Sequence, residues 1–213
     1  MLPGRHDGDL FSRLELQDLP CESEWDGSIA FIDRDGVLNV GSENYINNIE
    51  ELQVLTGAGK AVGDLRRSGF RICVTTNQSP IGRGLWDHQR LREIHDELQS
   101  RLLEEDEDAR LDLILYSPHL PWAGSPFRKP NPGMLMADRQ LVESKGTITK
   151  FDSSAVFEEA RSAMVGDRRC DLRAGKEYGI RSFYSPQHLG LASVVERVLN
   201  PSDTGDEVSS APQ

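Results

Sequence analysis

Short apolar runs alternate with helical patterns along most of this chain, and that alternation constrains its fold more than any other feature. Strands are expected over 28–32, 71–75, 112–117, 162–166 and 181–184, and helices over 57–68, 87–104, 132–144, 170–178 and 190–199. A strand followed by a helix, repeated, implies a parallel sheet covered by helices on both faces. The expected fold is therefore α/β, a Rossmann-like three-layer α/β/α sandwich with a central, mostly parallel sheet. Residues 39–71 and 77–128 are taken up by core elements and loops, which leaves no room for a large cap domain. With 213 residues the chain is long enough for one substantial core. The domain is expected over 26–199, with an N-terminal arm at 1–25 and a flexible, Pro-, Ser- and Asp-rich tail at 200–213.

Open parallel sheets bind ligands beyond the carboxyl ends of their strands. Four polar clusters fall there. Asp33 and Asp35 follow the first strand, and their spacing of two lets both carboxylates face one side while Gly36 permits a sharp turn. Thr76, Asn77, Gln78 and Ser79 follow the second, Arg128 and Lys129 lie in the loop after the third, and Gly166 and Asp167 follow the fourth. Paired acids need a reason to stay together, and a divalent cation beside a phosphate supplies one. Asp33 is suited to attack phosphorus, Asp35 to protonate the departing oxygen and later deprotonate water, and Asp167 to complete an oxygen site for Mg2+. Thr76 would hold phosphoryl oxygens, although a hydroxyl there also suits a helix cap. Lys129 would neutralise the charge that develops.

Net charge of −11 argues against a duplex-DNA or anionic-membrane surface, and no basic aromatic groove for single strands is evident. No apolar stretch is long enough to span a bilayer and no secretion signal is apparent, so a cytoplasmic protein is expected, as a monomer. The three cysteines, Cys21, Cys73 and Cys170, lack metal spacing and read as reduced thiols.

Asp33-Arg-Asp-Gly-Val-Leu-Asn39, Thr76-Asn-Gln-Ser79, Arg128-Lys-Pro130 and Val165-Gly-Asp-Arg-Arg-Cys-Asp171 resemble, in order, the four motifs of the haloacid dehalogenase-like phosphatases. The chain is most similar to the branch of D-glycero-D-manno-heptose 1,7-bisphosphate 7-phosphatases and histidinol-phosphatases. That resemblance implies Mg2+-dependent hydrolysis through a phosphoaspartate. Asp33 would be nucleophile and metal ligand, and Asp35 acid/base with its main-chain carbonyl on the metal. Asp167 would be the third ligand, and Thr76 and Lys129 would stabilise phosphate. It further implies substrate contacts from Tyr45, Asn77, Gln78, Ser79, Arg83, Arg128 and Arg168. Asn77 to Gly84 and Arg128 to Met134 are closer to the heptose type, although Pro80 stands where that group has glycine. The implied substrate is a small phosphorylated metabolite, a sugar bisphosphate of the heptose type losing its 7-phosphate. Histidinol phosphate is the alternative. A nucleic-acid 3′-end phosphatase and a non-catalytic phosphate-ester-binding protein are more remote readings.

Both branches carry a zinc loop, Cys-Pro-His followed by Cys-X-Cys. This chain has Ser117-Pro-His119 and then Ser125-Pro-Phe127, so zinc is not expected. Prolines, hydrogen bonds and packing of Trp122 or Phe127 would hold the loop instead. Asp171 reads equally as a residue supporting the site or an ordinary helix N-terminal acid. His119 reads as a loop-ordering residue, and His6, His88, His95 and His188 as surface or helix residues. The acidic run at 104–108 reads as solvated.

Overall fold

The computed structural model describes residues 2–20, 25–159 and 161–213. Six strands form one sheet: β1 (Gly4–Arg5), β2 (Ile29–Ile32), β3 (Arg71–Asn77), β4 (Leu113–Ser117), β5 (Ala163–Gly166) and β6 (Arg181–Tyr184). Their order is β1-β4-β3-β2-β5-β6, with every pairing parallel except the antiparallel β1–β4. The helices are α1 (Ala58–Arg67), α2 (Ser79–Gly82), α3 (His88–Glu105), α4 (Gly133–Ser144), α5 (Arg169–Tyr178) and α6 (Val195–Leu199). This is the three-layer α/β architecture expected, without a large cap.

Successive strand side chains face opposite ways, so each strand feeds two cores. Ala30 and Ile32 of β2, Ile72 and Val74 of β3 and Val165 of β5 join Val62, Leu65, Leu98 and Leu102 of α1 and α3. Ile29 and Phe31, Cys73 and Met164 join Leu135, Leu141 and Ala174 of α4 and α5 on the other face. Each fully buried Leu, Ile or Phe contributes about 1.5–3 kcal/mol by leaving water.

Several elements differ from expectation. β1 was not expected; it pairs Gly4 with Tyr116 and Arg5 with Leu115, while Leu10 and Leu14 enter the second core. β3 runs two residues further, so Thr76 and Asn77 end the strand rather than follow it. The helix expected over 190–199 divides into a 3-10 turn, Leu191–Ser193, and α6. In place of a frayed tail, Asp206 N donates to Ser182 O, Arg169 N to Pro212 O, and Ala211 is buried. The acidic run is engaged: Glu105 accepts from Gly57 N and Gly59 N, and Asp106 and Asp108 pair with Arg67. Cys73 is buried and Cys170 half-buried, both free thiols, while Cys21 lies outside the described residues.

Candidate active site

β2 ends in a tight loop in which Leu38 N and Asn39 N donate to Arg34 O and Gly36 N donates to Asn39 O. Gly36 has φ +79°, and a β-carbon there would lie 2.7 Å from an Asp167 oxygen. Its lack of a side chain lets the first and fourth clusters meet. Gly166 does the same for α5, because a β-carbon there would lie 2.0 Å from that of Asp171.

Asp33, Lys129, Asp167 and Asp171 come together. Lys129 Nζ lies 2.9 Å from Asp33 Oδ1 and 2.6 Å from Asp171 Oδ1. Carboxylate oxygens of Asp33, Asp167 and Asp171 all lie within 4.8 Å of one another. Burial raises the Asp33 pKa against the opposing pull of Lys129; with Asp171, Asp167 and Asp35 also adding negative charge, it is pushed up to about 7. Burial pulls Lys129 down, but Asp171 and Asp33 outweigh it and hold the ammonium charged. Asp167 is pushed up by burial and by Asp171.

Asp35 is saturated with donors. Arg34 Nη2 reaches its two oxygens at 2.9 Å each, Asn39 Nδ2 donates at 3.0 Å, and Gln78 Nε2 at 3.0 Å. Burial pushes its pKa up, yet Arg34 and these donors prevail and hold it below the usual carboxylate range. Gln78 Nε2 also donates to Thr76 Oγ1, so Thr76 is tied through Gln78 to Asp35 and does not cap α2, whose N-cap is Gln78. Asn77 bridges to Lys129 through both main-chain groups, donating to its carbonyl and accepting from its amide at 3.1 Å.

These residues open on a cleft of about 1020 Å3. Asp33, Asp35, Tyr45, Thr76, Asn77, Ser79, Arg83, Arg128, Lys129 and Arg168 all line it; Gln78 stands behind, on Asp35. Tyr45 has φ +64°, an uncommon conformation for a bulky residue that marks strain beside a site. Two site residues beyond those expected are Arg34, on Asp35, and Gln187, whose amide donates to Asp167. Of the two readings open for Asp171, the structure favours support of the site: its carboxylate lies on Lys129. His95, expected as a surface or helix residue, lies on α3 and is 0% exposed. Position 95 falls on the stripe Leu91, Ile94, Leu98, and helical spacing alone carried that signal.

A hard cation fits this donor set. Asp33 and Asp167 offer carboxylates, with that of Asp171 within 4.8 Å of both, and Asp167 Oδ1 is buried without a partner among the described residues, as a ligand oxygen would be. Ser117, His119, Ser125 and Phe127 do not fit zinc. They hold two hydroxyls, a phenyl ring, and an imidazole whose Nε2 lies 3.0 Å from Leu2 O. The loop is held by Asn131 Nδ2 to Ser125 O at 2.9 Å, by Arg128 Nη1 to His119 O at 3.0 Å, and by Phe127 against Phe151. Phe127 is the packed residue; Trp122 is 71% exposed, with the Arg83 cation over its ring.

The model of the HAD-hydrolase-like family matches residues 126–185. D-glycero-beta-D-manno-heptose-1,7-bisphosphate 7-phosphatase of Pseudomonas aeruginosa is 36% identical over 149 residues, 70% of this chain and 75% of that protein. The Escherichia coli K12 protein of the same name is 32% identical over 151 residues, 68% and 71% of the two chains. The crystal structure of D,D-heptose 1,7-bisphosphate phosphatase from B. bronchiseptica, complexed with magnesium and phosphate, superposes with a TM-score of 0.68 at 26% identity. That superposition covers 81% of this chain and 98% of that one.

A parallel sheet that gathers three acids and a lysine at one rim, above an open cleft, defines an α/β phosphohydrolase. The chain belongs to the haloacid dehalogenase-like hydrolases, and within them it is a phosphomonoesterase.

Proposed function

We propose that the chain removes the terminal phosphate of a small sugar bisphosphate of the heptose 1,7-bisphosphate class through a phosphoaspartate on Asp33. The observation that carries the reading is Lys129 held between Asp33 and Asp171 at 2.9 and 2.6 Å, beside an Asp167 oxygen that has no partner among the described residues. An Asp33 oxygen forms a bond to phosphorus as the ester P–O bond breaks, and Asp35 gives a proton to the leaving oxygen. Water then attacks the acyl phosphate, Asp35 takes its proton, and inorganic phosphate leaves with Asp33 regenerated. Arg34, Asn39 and Gln78 favour the ionised form of Asp35 against its burial, as the second half requires. An anionic phosphoryl group placed beside it raises its proton affinity for the first half.

Lys129 and the Thr76 hydroxyl hold phosphoryl oxygens as charge moves onto them. Mg2+ held by Asp33, Asp167 and the Asp35 main-chain carbonyl would supply Lewis-acid polarisation of the phosphoryl group. Arg83, Arg128 and Arg168 all line the cleft, and three guanidiniums favour a second phosphate over the ammonium of histidinol phosphate. The names of the similar phosphatases agree with that choice.

Heptose 1,7-bisphosphate anomers, fructose bisphosphate, histidinol phosphate and p-nitrophenyl phosphate, each assayed with and without Mg2+, test the proposal. The heptose bisphosphate is expected to give the highest kcat/KM, and Asp33→Asn to lower kcat by about a thousandfold or more. Full turnover by Asp33→Asn would overturn the mechanism, and a preference for histidinol phosphate the substrate.

A further inference from the structure

One buried histidine has no part in the chemistry described so far, although it meets the arginine that bonds to Asp35. Arg34 lies between the two candidate catalytic aspartates in sequence, yet it is 1% exposed and faces the interior behind Asp35. Its Nε and Nη2 donate to the Asp35 carboxylate, at 3.1 Å and 2.9 Å to Oδ1. Its remaining nitrogen, Nη1, lies 3.3 Å from Nε2 of His95 on α3.

A guanidinium carries donors only. The His95 Nε2 must therefore present its lone pair, which makes the ring neutral with its proton on Nδ1. Burial and the Arg34 charge keep the ring's pKa well below the usual histidine range, in agreement with that tautomer. No carboxylate bonds to the ring among the described residues. Its aromatic neighbours are His6, with centroids 5.5 Å apart, and Tyr116, at 6.1 Å. Asp96 bonds to His6 instead.

An imidazole at this position costs stability. Leucine would continue the stripe of Leu91, Ile94 and Leu98, whereas the His95 Nδ1–H is buried without a partner among the described residues. The Arg34 contact accounts for the polar ring. An unanchored guanidinium swings about a long flexible stem, and its fork would no longer fix one rotamer of Asp35.

We propose that His95 is a positioning residue for the phosphatase reaction: its Nε2 lone pair fixes the Arg34 guanidinium, which aims the Asp35 carboxylate at the leaving oxygen. The inference rests on the reading of Asp35 as the acid that gives its proton to that oxygen while the P–O bond breaks and the Asp33–phosphorus bond forms. Displacing a catalytic group by about 1 Å costs on the order of a hundredfold in rate, so a buried anchor two contacts away is felt in turnover.

Leaving-group dependence separates positioning from scaffolding. The preferred sugar phosphate has an alkoxide leaving group that needs a proton, whereas p-nitrophenolate departs without one. The readout is the ratio of kcat/KM on the sugar phosphate to that on p-nitrophenyl phosphate. His95→Leu is expected to lower this ratio about tenfold, part of what a full general acid contributes. His95→Gln, whose Oε1 accepts from Arg34, is expected to keep the ratio within about threefold of the parent. Arg34→Lys keeps the charge without the fork; it should lower the ratio as His95→Leu does, and the double variant no further. Should His95→Leu not fold, His95→Met, with at best a weakly accepting thioether, is read in the same way.

An equal loss on both esters, an unchanged ratio, or a glutamine variant that behaves like leucine would overturn the positioning role while leaving the phosphatase intact. A parent chain that cleaves neither ester would overturn the phosphatase reading and this inference with it.

Discussion

At the scale of single residues, the site is a problem of charge balance. Asp33, Asp167 and Asp171 crowd their carboxylates together, and one ammonium, Lys129, lies among them. Removing one member of a buried pair strands the other and costs about 3–5 kcal/mol. Lys129→Met is therefore expected to abolish measurable turnover and to lower stability by an amount of that order, read by denaturant unfolding. Mg2+ should restore more stability to this variant than it gives the parent, because the cation would then be the main neutralising charge. Equal gains from Mg2+ would mean that Lys129 and the metal do not share the same carboxylates. The substrate side invites a milder change. Tyr45 holds φ +64°, and asparagine adopts that conformation at lower cost. Tyr45→Asn should raise KM several-fold with a smaller change in kcat, and should leave thermal stability at or above that of the parent.

At the scale of elements, α4 carries a group that its surroundings do not satisfy. Asp138 is 0% exposed, and neither of its carboxylate oxygens has a partner among the described residues. Burial raises its pKa well above the usual value, so the folded chain keeps the proton that the unfolded chain releases. Stability contributed this way is present below the ordinary carboxylate pKa of about 4. It is then lost as pH rises toward the raised value, at about 1.4 kcal/mol per pH unit. Asp138→Asn is neutral at every pH. It should flatten the decline of Tm as pH rises above about 4 and melt higher than the parent at the upper end. Parallel pH–Tm curves for the two proteins would show that Asp138 does not titrate with folding. How far such elements were legible in the sequence follows the same physics. β2, β3, β4 and β5 announced themselves because strands buried on both faces are continuous apolar runs. β1 gave no such signal: it is two residues long, and its place comes from Gly4 fitting under the Tyr116 ring and Arg5 bonding to Asp7 and Ser12 O. The acids were legible because they end apolar strands; Asp171 stayed ambiguous because a helix N-terminal acid looks the same in sequence. His95 escaped because a histidine read singly is a polar residue, and only its place on the apolar stripe of α3 betrays burial.

At the scale of the whole molecule, what joins distant segments is the rim of the sheet, and a cation bound there should be felt as global stability. The sheet brings Asp33 from the end of β2 and Asp167 and Asp171 from beyond β5 to one point, and folding must oppose their mutual repulsion. A ligand that binds only the folded arrangement stabilises it by about 2.7 kcal/mol at a hundredfold excess over its Kd. For a domain of this size that is a rise in Tm of about 5–10 °C. The loop that closes the other side of the cleft makes no comparable demand. Phe127 packs on Phe151, and Asn131 and Arg128 tie the chain back to Ser125 and His119. Chelator-treated protein should therefore recover its full Tm and activity on addition of Mg2+ alone, and metal analysis of the purified chain should find zinc well below one equivalent. The two metals separate cleanly in this experiment. A Tm that stays low until zinc is supplied would mean that the Ser117 to Phe127 loop binds a metal its side chains are poorly equipped to hold. A Tm indifferent to Mg2+ would mean that Asp33 and Asp167 do not form a cation site.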